Sequence, residues 1–272
     1  MLATLGALLG FVPVATAATA PPGTDAGYRM VAADGGVFGF ARGTFLGGAN
    51  GVHDASTVAA LSTPTGKGYW LVTDAGGVLA FGDANAFGSL VLGPLASPVV
   101  GIAGTPDAAG YWLATADGGV YTFGSAGFFG SAAGTHLAAP VVAIIATPSG
   151  NGYWLVSSDG GVLSYGDAGF NGSLGGRALA APIVGAAATP SGHGYWLVGR
   201  DGGVFAFGDA GYFGSMGGTA LRAPVVGVLA LSTGKGYRLA AADGGVFCFG
   251  SAPFAGSAAS IPLARPVVAV LS

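Results

Sequence analysis

Apolar and polar positions form a short phrase that the chain repeats. An apolar run bounded by prolines, "PVVGIAGTP" at 98–106 and "PVVAIIATP" at 140–148, reads as one strand. "GYWLV" follows as a second strand, and "GVFAFG" at 203–208 as a third. A weaker fourth strand is expected over 211–216, "GYFGSM". Between the second and third stands Asp-Gly-Gly, beginning at Asp34, Asp117, Asp159, Asp201 and Asp243. Asp-Gly and Gly-Gly suit a tight hairpin, whose central positions need positive φ. A residue with a Cβ resists that conformation by about 1–2 kcal/mol. The repeated aspartates are therefore read as turn formers rather than as metal or substrate ligands.

The Gly-Tyr pair marks the period. Its tyrosines are Tyr28, Tyr69, Tyr111, Tyr153, Tyr195 and Tyr237, spaced by 41 residues once and then by 42 four times. Four strands in about 42 residues match a propeller blade. A solenoid competes, but β-helix turns are shorter and open stacks need distinct caps. The chain ends favour the ring. The first unit begins at Gly27 without its first strand, and the sequence stops at 266–272, "PVVAVLS", a first strand with no unit behind it. In a ring that strand completes the opening blade; in an open stack it leaves unpaired backbone groups. The expectation is an all-β, six-bladed β-propeller of four-stranded blades, closed by the C-terminal strand, as one domain over 21–272. The small residues of the first strand suit a crowded axis. Phe81, Phe123, Tyr165, Phe207 and Phe249 of the third strand, with Phe87, Phe129 and Phe213 of the fourth, are expected to pack between blades.

Composition agrees with strands. Of the 272 residues 51% are hydrophobic and 8% charged; every acid is Asp, and lysine occurs only at Lys67 and Lys235. A chain almost without Glu and Lys is poor helix material, whereas Val, Phe, Tyr, Trp and Thr favour strands. The 54 glycines lack a strict every-third period, so they serve turns rather than collagen. Net charge is −3 with nine scattered basic residues, which excludes a nucleic-acid partner.

Residues 1–20, "MLATLGALLGFVPVATAATA", are uncharged and mostly apolar, with small-x-small triplets at Ala15–Ala17 and Ala18–Ala20. They predict a signal peptide and a secreted or cell-surface protein. An uncleaved membrane anchor is the alternative reading. The single Cys248 cannot form an internal disulfide, and its slot holds Gly39, Ala80, Thr122, Ser164 and Ala206 in the other units. It is read as a packing residue.

Candidate chemistry is sparse. His53, His136 and His193 occupy different slots of the repeat, none with metal-like spacing or a ligand cluster, so no metal and no cofactor is expected. His53-Asp54 is the one suggestive acid–base pair, but neighbours in a strand point apart. Trp70, Trp112, Trp154 and Trp196 follow the repeated tyrosine, and Arg29 and Arg238 take that slot in the first and last units. This series reads either as an aromatic platform for sugar faces or as packing between blades, and packing is favoured. Strand alternation puts the "TPSGNG" and "FGDAGF" turns on one face, and the Asp-Gly-Gly turns with the inter-unit connections on the other. Those connections vary most and carry His136, Arg177, Arg222 and Arg265, the candidate binding residues.

The phrase "GYWLV..DGGVF.FGDAG.FGS.GG" resembles the repeats of secreted actinobacterial proteins that are often described as β-propellers. "DGGVYTFG" followed by Gly-Ser more remotely resembles the RCC1-type propeller repeat. The resemblance implies fold and export and carries over no catalytic residue. The expected function is an exported, non-catalytic, monomeric binding or scaffold module for a cell-wall glycan or an extracellular protein. The alternatives are a hydrolase or lyase acting on extracellular polysaccharide, and a purely structural role.

Overall fold

The structure is a computed structural model and describes residues 25–50, 56–90 and 95–272. The expected leader, 1–20, and the His53-Asp54 pair lie outside the described residues. Eighteen strands and no helix occur among the described residues, in six separate three-stranded antiparallel sheets. The first sheet holds β1 (Tyr28–Ala32) and β2 (Val37–Phe40). The second holds β3 (Thr57–Ser62), β4 (Gly68–Thr73) and β5 (Val78–Gly82), and the third β6 (Val99–Gly104), β7 (Gly110–Thr115) and β8 (Val120–Gly124). In the fourth are β9 (Val141–Ala146), β10 (Gly152–Ser157) and β11 (Val162–Gly166). In the fifth are β12 (Ile183–Ala188), β13 (Gly194–Gly199) and β14 (Val204–Gly208). The sixth holds β15 (Val225–Ala230), β16 (Gly236–Ala241) and β17 (Val246–Gly250).

The remaining strand, β18 (Val267–Leu271), pairs with β1 and completes the first sheet in the order β18-β1-β2. Arg29 faces Leu271, Met30 faces Val270 and Val31 faces Ala269. Neighbouring first strands pack together: β3 on β6, β6 on β9, β9 on β12 and β12 on β15. β18 touches both β15 and β3. The arrangement is propeller-like. Small residues allow the close approach, since a Cβ on Gly185 of β12 would stand 3.4 Å from Gly227 Cα of β15. Each middle strand is wholly buried apart from half-buried Ser157 at the end of β10, so its "GYWLV" is a run without an exposed side rather than an alternation.

Asp-Gly-Gly makes the turn as expected. The Asp Oδ1 accepts the N–H two residues on: Gly36 for Asp34 (3.0 Å), Gly161 for Asp159 (3.0 Å) and Gly203 for Asp201 (2.9 Å). The intervening glycine is left-handed, φ 84° at Gly118, where a Cβ would also lie 2.6 Å from Ala132 Cβ. In the second unit, where Asp74 slips one residue, Thr73 Oγ1 accepts from Gly77 N–H instead (2.9 Å).

The fourth strand does not form. Residues 211–216 and their counterparts are irregular, and each sheet stops at three strands. The cause is visible in the backbone: Gly214 has φ 131°, and the same position has φ 133° at Gly130 and 137° at Gly88. That bend prevents an extended ladder. Its polar groups are met by the next unit's tyrosine instead. Phe213 N–H donates to Tyr237 Oη (3.2 Å), which donates to the Gly214 carbonyl (2.6 Å). The same clasp joins Tyr111 to Phe87 and Gly88, Tyr153 to Phe129 and Gly130, and Tyr195 to Asn171 and Gly172. Tyr69 clasps Leu46 and Gly47 of the first unit, and Tyr28 donates to Gly256 of the last. Burial raises the pKa of these phenols, which keeps each a donor.

One oxygen therefore bridges each pair of units, and removing it orphans two backbone groups. Tyr153→Phe is expected to cost about 2–6 kcal/mol, the sum of an unmet donor and an unmet acceptor at about 1–3 kcal/mol each. Denaturant unfolding checks this, and a loss below about 0.5 kcal/mol means water replaces the clasp.

Candidate functional site

The Trp/Arg slot resolves first, because it decides which aromatics are free to bind. Trp70, Trp112, Trp154 and Trp196 are at most 1% exposed. Each indole Nε1 donates to a carbonyl fifteen residues on: Asn85 (2.7 Å), Gly127 (2.6 Å), Gly169 (2.7 Å) and Gly211 (2.7 Å). Each indole packs on the next unit's tyrosine, with Trp112 and Tyr153 centroids 5.7 Å apart. The packing reading of these tryptophans holds.

Arg29 and Arg238 continue the series. Arg29 Nε donates to Thr44 O (2.6 Å) and Arg238 Nε to Pro253 O (3.0 Å), again fifteen residues on. Arg238 stands 5.0 Å from the Tyr28 ring centre and Arg29 5.3 Å from that of Tyr69, so cation–π contacts replace the indole–phenol contacts. The guanidinium brings donors that indole lacks. Arg29 Nη1 reaches Ser272 O (2.5 Å) and Nη2 reaches Gly66 O (3.0 Å); Arg238 Nη2 reaches Asp25 O. Asp25 also accepts from Ser232 N–H (3.0 Å) and Ser232 Oγ (2.8 Å). The two arginines thus hold the strand ends where the first sheet is assembled from distant parts of the chain.

Several other aspartates are engaged as well. Thr147 Oγ1 donates to Asp167 Oδ1 (2.8 Å) and Thr189 Oγ1 to Asp209 Oδ1 (2.8 Å), tying the "TPSG" turn to the "FGDA" turn on one face. Where the third unit has Ser125 in place of that Asp, the opposite turn supplies Asp107, which accepts from Thr105 Oγ1 (2.5 Å) and Ala109 N–H (3.0 Å). Hydroxyl donors hold three carboxyls below their usual value of 3.8: Thr105 for Asp107, Ser157 for Asp159 and Ser191 for Asp209. A depressed folded pKa contributes stability that is present above the unfolded pKa and is lost as pH falls through the folded one. Melting temperature is therefore expected to fall on acidification below about pH 4. Asp209→Asn should make that acid limb shallower, and an unchanged limb would remove Asp209 from the account.

His136, Arg177, Arg222 and Arg265 all lie exposed in connections between units. Arg265 lines a depression of about 310 Å³, with Asp243, Ile261, Leu263 and Pro266. His193 is exposed in a turn, as its slot predicted. Cys248 is half-buried opposite Arg238; burial raises its thiol pKa and the guanidinium lowers it part-way. No group of three or more potential metal ligands occurs among the described residues.

A series the sequence reading passed over is exposed instead. Phe45, Phe128, Phe170, Tyr212 and Phe254 are 60–64% exposed, at one equivalent position in five of the six units, and Ala86 fills the sixth. Each immediately precedes the residue clasped by the next unit's tyrosine. The signal was the doubled "FF" of "GFFGS", which puts one ring in and one out. No helix of the described residues is long and apolar enough to cross a membrane. No protein-family model matches the chain and no curated protein is similar to it, so the comparisons support neither resemblance, and the repeat architecture rests on the structure alone.

Proposed function

We propose that the chain is a closed six-bladed β-propeller, exported and non-catalytic, that serves as a binding or scaffold module at the cell surface or outside the cell. Closure is supported by the β18–β1 pairing, by the Tyr28 bond to Gly256, and by the succession of first strands that returns through β18 to β3. Export is supported by the apolar segment 1–20.

One observation carries the binding reading. Frame positions repeat from unit to unit, in the tyrosine clasp, the Trp/Arg slot and the glycine turns, while the exposed connections differ and carry His136, Arg177, Arg222 and Arg265 singly. Varied, exposed loops on a rigid frame are where recognition concentrates. A glycan or a protein fits these polar and cationic loops.

The test is retention of the purified chain on a cell-envelope fraction, split into its polysaccharide and its protein. The expected result is saturable retention on one arm, with no soluble sugar released. The Arg177→Ala, Arg222→Ala, Arg265→Ala triple variant should weaken it roughly fivefold or more. No retention on either arm overturns the reading, and time-dependent release of sugar replaces it with an enzyme.

A further inference from the structure

We propose that the exposed ring series Phe45, Phe128, Phe170, Tyr212 and Phe254 is a second binding surface, and that its ligand is an uncharged polysaccharide. The proposal rests on the binding-module reading but uses a different surface.

Comparison of the six units with one another carries it. The outward slot reads Phe45, Ala86, Phe128, Phe170, Tyr212, Phe254, and the inward slot beside it reads Leu46, Phe87, Phe129, Asn171, Phe213, Ala255. Inward side chains pack on the next unit's tyrosine, as Phe129 does on Tyr153 at 5.8 Å. Packing should make the inward slot the more uniform of the two. It is the less uniform: the inward ring is lost at Asn171 and Ala255, yet Phe170 and Phe254 stay outside, 64% exposed. An aromatic kept in water while its buried neighbour varies is not explained by folding. Single exposed apolar residues are ordinary; one per unit at a fixed position is a pattern.

The setting narrows the ligand. The tyrosine clasp holds the backbone at the residue after each ring, so the rings are presented on a rigid main chain, which lowers the ordering cost of binding. The segments around them, 43–50, 84–90, 126–134, 168–176, 210–218 and 252–260, contain no Lys, Arg, Asp or Glu. The exposed Arg42 and Arg177 border the series just outside these segments, so only the ring-bearing segments themselves are uncharged, which disfavours an anionic polymer or an acidic lipid surface as the ligand of the rings. In sequence each ring stands singly, one per unit and about 42 residues apart, among mostly Gly, Ala and Ser. Identical, separated, flat apolar contacts suit a ligand that is itself repetitive and has flat C–H faces with hydroxyl edges. A neutral glycan chain, or a surface made of such chains, has that form, and several weak contacts then add by avidity.

The experiment is co-sedimentation of the full chain with cellulose, chitin and, as the charged control, calcium-gelled polygalacturonate. The expected result is retention on at least one neutral polymer and not on polygalacturonate. The Phe128→Ala, Phe170→Ala, Tyr212→Ala triple variant should lose at least about tenfold in affinity, with an unchanged melting temperature because the side chains are exposed. Ala86→Phe, which completes the series, should increase retention. A triple variant that sediments like the parent, or a parent that neither neutral polymer retains, overturns the proposal. Retention on the envelope fraction that depends on Arg177, Arg222 and Arg265 would leave the binding-module reading standing in either case.

Discussion

Removal of residues 266–272 is expected to abolish cooperative folding of the monomer. The segment supplies β18, whose Val267, Val268, Val270 and Leu271 are at most 3% exposed. At about 1.5–3 kcal/mol for each such side chain buried, their loss is on the order of 6–12 kcal/mol. Whole domains have only about 5–15 kcal/mol to lose. Two further groups are stranded: Arg29 Nη1 and Ser62 Oγ both lose the Ser272 carbonyl. The uncovered edge of β1 becomes a template for another chain's strand, so the shortened protein should form oligomers. Near-ultraviolet circular dichroism and size-exclusion chromatography check the two effects. A peptide of residues 266–272 added in trans should restore a monomeric, cooperative species in part. A truncated protein that melts as a monomer at the parent temperature would remove β18 from the frame and ring closure with it.

The repeat made β18 legible as a first strand, and the structure pairs it with β1 to complete the first sheet. The Asp-Gly-Gly turns were legible too, since few sequences besides Asp-Gly and Gly-Gly tolerate φ near 80° with an Asp oxygen reaching back to the chain. The missing fourth strand was not. "GYFGSM" has the aromatic density of a strand, and what bends it is Gly214 together with a hydroxyl on Tyr237, 23 residues away from that carbonyl. A pattern read along the chain cannot register a bond made across to the next unit. The outward aromatics were hidden by the same assumption: placed in a strand, Phe129 and Phe213 accounted for the hydrophobicity, and Phe128 and Tyr212 beside them drew no attention. His136, Arg177, Arg222 and Arg265 were legible as connection residues because they fall between the repeated strands, and all four are exposed.

Arg238→Ala is expected to be among the most damaging single changes, although an arginine at a tryptophan position looks like a defect in the repeat. Its side chain is fully buried, donates to Pro253 O and Asp25 O, and stacks on Tyr28. Truncation leaves a cavity the size of a large side chain, two unmet carbonyls and an unstacked phenol, together about 3–5 kcal/mol. The wild-type group also carries a cost, because Nη1 is buried with no oxygen acceptor and only the Cys248 thiol, a weak acceptor, beside the guanidinium. That cost gives the position a discriminating second variant. Arg238→Trp removes that nitrogen and supplies an indole Nε1 for Pro253 O, as Trp196 does for Gly211 O at 2.7 Å, but it cannot reach Asp25 O. It should therefore recover more than half of the stability lost in Arg238→Ala, while hydrogen exchange at residues 25–27 becomes faster than in the parent. If Arg238→Trp is as unstable as Arg238→Ala, the arginine is not standing in for tryptophan and the six-fold reading of this slot fails. If it is stable and residues 25–27 stay protected, Asp25 is held by Ser232 alone. The two variants separate what the slot does in every unit from what it does only where distant strand ends meet.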